Sequence, residues 1–483
     1  MKPRNTIVIM SDEHDPRFMG ASGHPRVKTP HLDALAARGV RFTDAYTPCP
    51  ICVPARAAFA TGQHVHRIRH WDNAMPYTGS IRGWGHVLQE HGHRVESIGK
   101  LHYRHAEDPA GFDIEHIPMN VVDGVGMVWG SIRNPLPPAP AGRMLGPDIG
   151  PGESSYTQYD RSIADHAVQW LQDAAARDED KPWMLYVGFV APHFPLVAPP
   201  EFFSLYSPDE MPRSKLLPED GYPHHPWVAE HSKFWPHDTR FKDEHERRLA
   251  IAAYHALCSW VDHNVGRVIS ALGETGLGDS TRVIYTSDHG DNVGARGLWG
   301  KSNLYQEAVA VPMIMTGPEI APGVCHTPTT LIDLFPTIIE SVGLDPAPEM
   351  GERPGRSLFA LAAGPADPER TILSEYHAVG CNSAGFMLRR GRWKFHYYVG
   401  FAPELFDLDT DPEETTNLAG SPEHVPIVAA MEAALREICD PEAVDQLAKA
   451  DQQALIALHG GREGALRLGA PGATPAPSDR RTL

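Results

Sequence analysis

An α/β fold, a mainly parallel central sheet flanked by helices with a small C-terminal α+β subdomain, follows from three features of the sequence. Short apolar runs stop abruptly at polar residues, helical patterns separate those runs, and past about Arg370 the texture changes to short alternating segments. Ile7-Val8-Ile9-Met10 is a continuous apolar run of the kind a strand covered on both faces requires, and Ser11-Asp12-Glu13-His14 ends it. Thr29 and Pro30 open a helix, as N-cap and first-turn residue, and Gly39 closes it. A helix from Trp84 to His91 feeds a strand, Arg94 to Gly99, that delivers Lys100 and His102, so the alternation reads βαβ.

The pattern recurs. A helix from about Tyr159 to Ala176, with Ile163, Ala167, Trp170 and Leu171 on one stripe, precedes a strand from Trp183 to Val190 and then Ala191-Pro192-His193. A long helix from about Glu244 to Leu272 precedes the strand Arg282 to Ser287, which ends at Asp288-His289. Pro312 to Met315 reads as another core strand and Thr330 to Val342 as a helix despite Pro336. Residues 1–369 therefore form the α/β domain. Residues 370–459 form a subdomain with strands at Trp393 to Tyr397 and Leu405 to Leu408 and a final helix near His424 to Ile438. Residues 460–483, rich in Gly, Ala, Pro and Arg, are expected as an extended tail, either loose or reaching another subunit of a homo-oligomer.

The chain has 483 residues, 42% hydrophobic and 22% charged, the balance of a globular chain and not of a minimal peptide scaffold or a disordered one. A formal charge of −18 opposes non-specific attraction to nucleic acid or to an anionic membrane surface, so neither partner is expected. No run approaches the ~18 apolar residues of a membrane span. Six cysteines lie scattered without paired metal-ligand spacing, as in a reducing compartment, and Thr6 to Met10 is too brief for the apolar core of a signal peptide. A cytoplasmic location is expected.

In a mainly parallel sheet every strand's carboxyl end lies on one edge, so residues just past those ends share a crevice however far apart in sequence. Asp12-Glu13, Lys100 with His102, His193, and Asp288-His289 gather there: a metal and anion site in outline. A single strand-end aspartate is more often a cap or turn residue, and it is the coincidence of four such ends that carries the reading. Cys52-Val53-Pro54-Ala55-Arg56 is the sharpest local signal. Pro54 fits the first turn of a helix running to about Ala60 and ended by Thr61-Gly62, which puts Cys52 at the N-terminus and Arg56 on the same face. That placement predicts a thiol of lowered pKa, a nucleophile candidate.

Cys52-Val-Pro-Ala-Arg-Ala-Ala-Phe-Ala-Thr-Gly-Gln, between a strand ending Ser-Asp-Glu-His and the later Ser-Asp-His-Gly-Asp and Gly-Leu-Trp-Gly-Lys, resembles the type I sulfatases of the alkaline phosphatase superfamily. The likeness runs over nearly the whole chain, including Glu404-Leu-Phe-Asp-Leu-Asp-Thr-Asp-Pro-Glu-Glu and Asn417-Leu418. It implies that a separate maturase oxidises Cys52 to formylglycine. One hydroxyl of the hydrated aldehyde would attack sulfur, and loss of a proton from the other would expel sulfate. By the same resemblance Asp12, Glu13, Asp288 and His289, with residue 52, hold one divalent cation. Arg56 and Lys100 would hold the formylglycine hydroxyls, with His102 as the base that collapses the covalent intermediate. His193 and Lys301 would clamp the sulfate, and one of them would protonate the leaving oxygen.

Two positions depart from the commonest arylsulfatase pattern. Glu13 stands where a second aspartate is usual and His289 where asparagine is usual. The imidazole suits Mn²⁺ better than Ca²⁺, which family habit favours. His289 and Trp71-Asp72-Asn73-Ala74, in which Asn73 is placed to bind the transferred group, are similar to the choline sulfatase and phosphonate monoester hydrolase branch. Blander readings suit the rest: His64, His66 and His70 as a polar loop beside the pocket, His224-His225 as a loop, and Cys49 as a small buried hydrophobe. Trp71, Trp129, Trp227 and Trp299 offer an aromatic wall for a leaving group, with core packing the ordinary role of any one of them.

The leading expectation is a sulfatase cleaving a small aryl or alkyl sulfate monoester. The same pocket would accept a phosphonate monoester or phosphodiester, and a pocket never oxidised at Cys52 would be a non-catalytic anion- or metal-binding site. A thiol hydrolase using Cys52 and a histidine has no use for four metal ligands.

Overall fold

The computed structural model describes residues 2–140, 145, 146, 148–469 and 474–477. Its main sheet has eight strands: β1 (Asn5–Asp12), β2 (Val40–Phe42), β3 (Val95–Lys100), β4 (Ile114–Met119), β5 (Met184–Pro192), β6 (Thr281–Ser287), β7 (Met313–Thr316) and β8 (Gly323–Cys325). Their order across the sheet is β8-β2-β7-β6-β1-β5-β3-β4. Every pairing is parallel except those of β7, which runs antiparallel to β6 and β2. The apolar run of β1 is central because both its faces are covered. Val8 and Met10 face a cluster with Ala57, Phe59, Phe335 and Ile338, while Ile7 and Ile9 face Ile163, Leu171, Val261 and Val265 on the other side.

The helices that supply those layers are α1 (Pro30–Arg38), α2 (Cys52–Thr61), α3 (Trp84–Glu90), α4 (Ser155–Ala175), α5 (Glu244–Glu274) and α6 (Leu334–Ser341). The starts of α4 and α5 are set by side-chain caps: Ser154 accepts from the Thr157 amide and Asp243 from the Glu246 amide. Thr29, expected to cap α1, does not. Its hydroxyl donates to Asp33 and accepts from the Gly20 amide, tying down the preceding loop. Gly62 ends α2 in the left-handed conformation, and a Cβ there would meet Phe335, so the helix must stop where the sheet-covering α6 begins to pack.

The C-terminal sheet is a four-stranded antiparallel meander of β9 (Ile372–Tyr376), β10 (Gly385–Arg390), β11 (Trp393–Tyr398) and β12 (Glu404–Asp407). Leu373, Phe386, Leu388, Phe395 and Leu405 pack on Met431 and Leu435 of α7 (Val425–Ile438). Where one final helix was expected, two more follow, α8 (Pro441–Leu458) and α9 (Gly461–Leu468). The start of α8 carries Asp440 as cap, accepting from the Glu442 and Ala443 amides, with Pro441 in the first turn. The extended tail is therefore corrected over Gly461–Leu468, which is helical because Ala465 buries itself beside Ala74, Val128 and Ile132. Residues 470–473 and 478–483 of that tail lie outside the described residues. Among the described residues no helix is long and apolar enough to cross a membrane.

Candidate active site

Parallel register brings the predicted strand ends together. Asp12 closes β1 opposite Pro192 of β5, Ser11 pairs with Ser287 of β6, and Lys100 closes β3 opposite Met119. Asp12, Lys100, Asp288 and His193 thus share one edge of the sheet, as expected. Helix α2 points its first residue, Cys52, into that edge, and the Val53 amide donates to the Asn73 side-chain oxygen at 3.2 Å. Glu13 turns out of β1 in a left-handed conformation, and its amide donates to Asp288.

Arg56, one turn into α2, is 1% exposed and binds the converging strands to one another. Its Nε lies 2.9 Å from Asp288 and Nη2 3.1 Å from Asp12, while Nη1 donates to the Lys100 carbonyl and the Tyr186 hydroxyl. These hydrogen bonds go to the frame of the site and not to Cys52. Lys100 Nζ lies 2.6 Å from Asp12. Lys301 Nζ lies 3.2 Å from the Cys52 sulfur and 3.0 Å from Glu13.

The histidines have defined hydrogen-bond partners. His289 Nδ1 lies 3.0 Å from the Gly290 carbonyl, to which it must donate, and its Nε2 lies 3.2 Å from the Cys52 sulfur. His193 Nδ1 likewise donates to the Phe194 carbonyl at 2.6 Å. His102 Nε2 bonds the Thr474 hydroxyl at 2.8 Å, and its buried Nδ1 has no partner among the described residues.

Burial and charge oppose each other throughout the site. Burial pushes Asp12 up, but Lys100, His193, Lys301 and Arg56 outweigh it and hold the carboxyl well below its ordinary range. Burial wins at Glu13, raised to about 7 against the pull of Lys301. His102 and His193 are driven well below their ordinary value by burial, reinforced by Lys100 and Lys301 respectively, so both rings are neutral near pH 7. The expected lowering of the Cys52 pKa is overturned: burial and then Asp12 push the thiol up to about 12. A helix N-terminus favours a thiolate only where the anion is not also desolvated beside a carboxylate.

The donor set fits a divalent cation. The Cys52 sulfur, an oxygen each of Asp12 and Asp288, and a nitrogen of His289 all lie within 4.8 Å of one another, the spread one ion's ligands occupy. Asp12, Glu13 and His193 form an adjoining group of the same compactness. Both Glu13 oxygens are buried: Oε1 is ion-paired with Lys301 Nζ at 3.0 Å, and Oε2 accepts no hydrogen bond among the described residues, which leaves it available to a cation.

Above this floor opens a pocket with about 720 Å³ of empty space, its mouth included. Its floor presents Cys52, Asn73, Lys100, His102, His193 and Lys301, and its walls include Met127, Tyr156, Phe194, His231, Trp235, His237 and Trp299. Of the four tryptophans singled out in the sequence, Trp299 lines this wall. Trp71 and Trp227 are buried in the main core, and Trp129 supports the wall at 6.1 Å from Trp235. The polar loop expected at His64, His66 and His70 is corrected at His66, which lies in a short helix, Val65–Ile68, buried on Glu375 at 2.9 Å with His64 stacked on it. His70 Nδ1 donates to the Met75 carbonyl, and Cys49 is a buried free thiol as expected. His225 caps a short helix, Pro226–Phe234, through the Trp227 amide.

Sequence reasoning missed three supports. Tyr156 donates to the Thr474 carbonyl, so the C-terminal segment reaches the chain's own pocket. Asp72 is fixed by Ser131, the Ala74 amide and Gln452 of α8, and Trp71 Nε1 donates to Asp451, which together hold the loop carrying Asn73. Trp235 carried no signal beyond its residue type.

The chain matches the family model "Sulfatase" over residues 4–344 and the model "N-sulphoglucosamine sulphohydrolase, C-terminal" over residues 294–440. It is 33% identical over 469 residues to a choline-sulfatase of Rhizobium meliloti (strain 1021), covering 93% of this chain and 89% of that protein. It is 30% identical over 454 residues to arylsulfatase K of Homo sapiens, covering 86% and 79% respectively. Its fold superposes on a phosphonate monoester hydrolase from Silicibacter pomeroyi with TM-score 0.72 at 24% identity, over 90% of this chain and 94% of that one.

Proposed function

This chain belongs to the sulfatase family, as a type I sulfatase of the alkaline phosphatase superfamily and a sulfuric ester hydrolase, and from that premise we propose its reaction and working parts. It hydrolyses a small aryl or alkyl sulfate monoester, using residue 52 as formylglycine made by a maturase and one divalent cation. The observation that carries the reading is the convergence of Asp12, Cys52, Asp288 and His289 at the floor of a pocket.

Asp12, Asp288 and His289 hold the cation, with Glu13 beside them. When bound, it lowers the pKa of the nucleophilic oxygen and draws charge from the sulfate. Ca²⁺ is the ion expected from the family, while the His289 nitrogen suits Mn²⁺. Arg56 keeps the two aspartates in register. Lys100 and Lys301 bring positive charge to the place where negative charge gathers in the transition state. His102, neutral near pH 7, is able to accept a proton from residue 52. Asn73 spends its oxygen on the Val53 amide, which leaves its NH₂ as a donor for the transferred group. His193 and Lys301 flank the sulfate, and one of them delivers the proton to the leaving oxygen.

The test is kcat/KM for 4-nitrophenyl sulfate beside 4-nitrophenyl phenylphosphonate, in protein produced with a competent maturase. The sulfate is expected to react faster. A phosphonate rate far above the sulfate rate would favour the phosphonate monoester or phosphodiester reading. No turnover with an intact thiol at residue 52 would make the chain an anion-binding protein. A cytoplasmic setting, resting on the cysteine pattern, and a homo-oligomeric state, expected from the sequence, complete the proposal; cell fractionation and sedimentation test them.

A further inference from the structure

The strand that delivers His193 leaves the sheet irregularly. Along β1 and β5, Met10 stands opposite Gly188 but Asp12 stands opposite Pro192, so Phe189, Val190 and Ala191 all lie against Ser11. The pairing of β5 with β3 also ends at Gly188. Extra residues of this kind bend a strand, re-aim its side chains and take amides out of the ladder. Val190 and Ala191 are buried, so their amides need an acceptor from within the protein.

Asp160 of α4, itself fully buried, accepts from both. Its Oδ1 lies 2.7 Å from the Val190 amide and its Oδ2 2.9 Å from the Ala191 amide. The chain then turns, the His193 amide donating to the Val190 carbonyl at 3.1 Å, and the His193 side chain enters the pocket. Tyr156 lies one helical turn before Asp160 on the same face of α4, and its ring packs edge-on against that of His193, with centroids 5.8 Å apart at 71°. Helix α4 thus touches the turn at its backbone and at its imidazole. Asp160 neither lines the pocket nor belongs to the compact donor groups, so it touches the reaction only through the residues it holds.

Resting on the sulfatase reading, we propose that Asp160 is the positioning residue for His193, its carboxylate clasping the two successive amides before the turn and so setting where the imidazole meets the sulfate. A carboxylate bound through both oxygens fixes the orientation of the backbone as well as its distance, and each bond is charge-assisted. Asparagine has the same shape but offers an oxygen to one amide and turns its NH₂ toward the other. Two donors then face each other in a buried place, and the end of β5 has to move. A displacement of about 1 Å at a working group costs about a hundredfold in rate.

The experiment is a double-mutant cycle in matured protein. Burial lifts the Asp160 carboxyl to about 7 against the pull of both amides and of Lys100, so the assays are run at pH 8, where it is ionised. Asp160→Asn is expected to lower kcat/KM for 4-nitrophenyl sulfate about a hundredfold beside native His193, but less than about threefold in a His193→Ala background. The loss of thermal stability is the same in both backgrounds, which separates positioning from folding. A rate loss of similar size in both backgrounds overturns the proposal, as does a loss below about threefold with His193 present. Should Asp160→Asn not fold, Asp160→Glu, which keeps both acceptors and moves them by one methylene, enters the same cycle with the same reading. Should no sulfate ester turn over, the sulfatase reading fails by itself, and a crystal structure of the Asp160 variant decides: a His193 ring displaced by about 1 Å or more supports the proposal, and an unmoved ring overturns it.

Discussion

The ammonium of Lys301 lies 3.2 Å from the sulfur of Cys52, although the two residues are 249 positions apart in sequence. Burial opposes the charge of Lys301, but Cys52, in the thiolate form it takes only at high pH, together with Glu13 and Asp12 outweighs it and raises the Lys301 pKa well above its ordinary range. A fixed cation at this distance from residue 52 is what an anion-transfer site requires. It does not turn Cys52 into a thiolate, since burial and Asp12 prevail there.

Cys52→Ser is predicted to keep the fold and bind the cation but to lose multiple turnover by at least about a thousandfold. Calorimetric cation binding and steady-state assays with 4-nitrophenyl sulfate check the two halves separately. Undiminished turnover would show that an aldehyde at residue 52 is not used.

Arg56→Ala removes the guanidinium that pairs with Asp288 and, beside Lys100, with Asp12 in a fully buried setting. Breaking a buried pair from one side costs about 3–5 kcal/mol, so urea unfolding of the cation-free variant is expected to show a loss of that order. Added divalent cation recovers part of it. A change below about 1 kcal/mol would show that the two carboxylates do not depend on Arg56.

Glu13 gives the cation-free protein a pH dependence of known sign. Its pKa in the folded chain is about 7, above its ordinary 4.5, so between these values the folded state holds a proton that the unfolded state has lost. This contribution to stability is present below pH 4.5 and is lost as pH rises through 7. Cation binding must displace the same proton, so affinity is predicted to rise with pH up to about 7 and then level off. Calorimetry in buffers of different ionisation enthalpy measures the released proton, and Glu13→Gln is expected to lower the number released and to reduce the pH slope.

Gln452 tests the support of the Asn73 loop from outside the pocket. Its amide donates to Asp72 and to the His377 carbonyl, each at 2.9 Å. Gln452→Ala leaves buried acceptors short of a donor and is predicted to cost about 1–3 kcal/mol in thermal or urea unfolding. KM for the sulfate ester rises with it as Asn73 loosens, while the pH profile stays in place.

The site's frame was legible in the sequence and its surroundings were not, for physical reasons. Asp12 was found because its strand, buried on both faces, reads as an unbroken apolar run, and Lys100, His193 and Asp288 because parallel order sends the ends of their strands to the same edge. Cys52 and Arg56 were found because proline and glycine mark the ends of α2. The direction of the Cys52 shift was misread because it depends on desolvation and on a carboxylate 40 positions away, which helix position alone does not reveal. Helices α8 and α9 were missed since much of each faces solvent and only a few residues, such as Ala448, Gln452 and Ala465, are buried. Trp235 and Thr474 come to the pocket through long-range packing that leaves no local pattern.

The most direct test of the central claim is a crystal structure of matured protein with sulfate bound, measured for anomalous scattering. The prediction is one cation peak among Asp12, Asp288, His289 and residue 52, with density at residue 52 for a hydrated aldehyde. A protein that turns over sulfate esters with no cation between these residues, or with an intact thiol at residue 52, would contradict it.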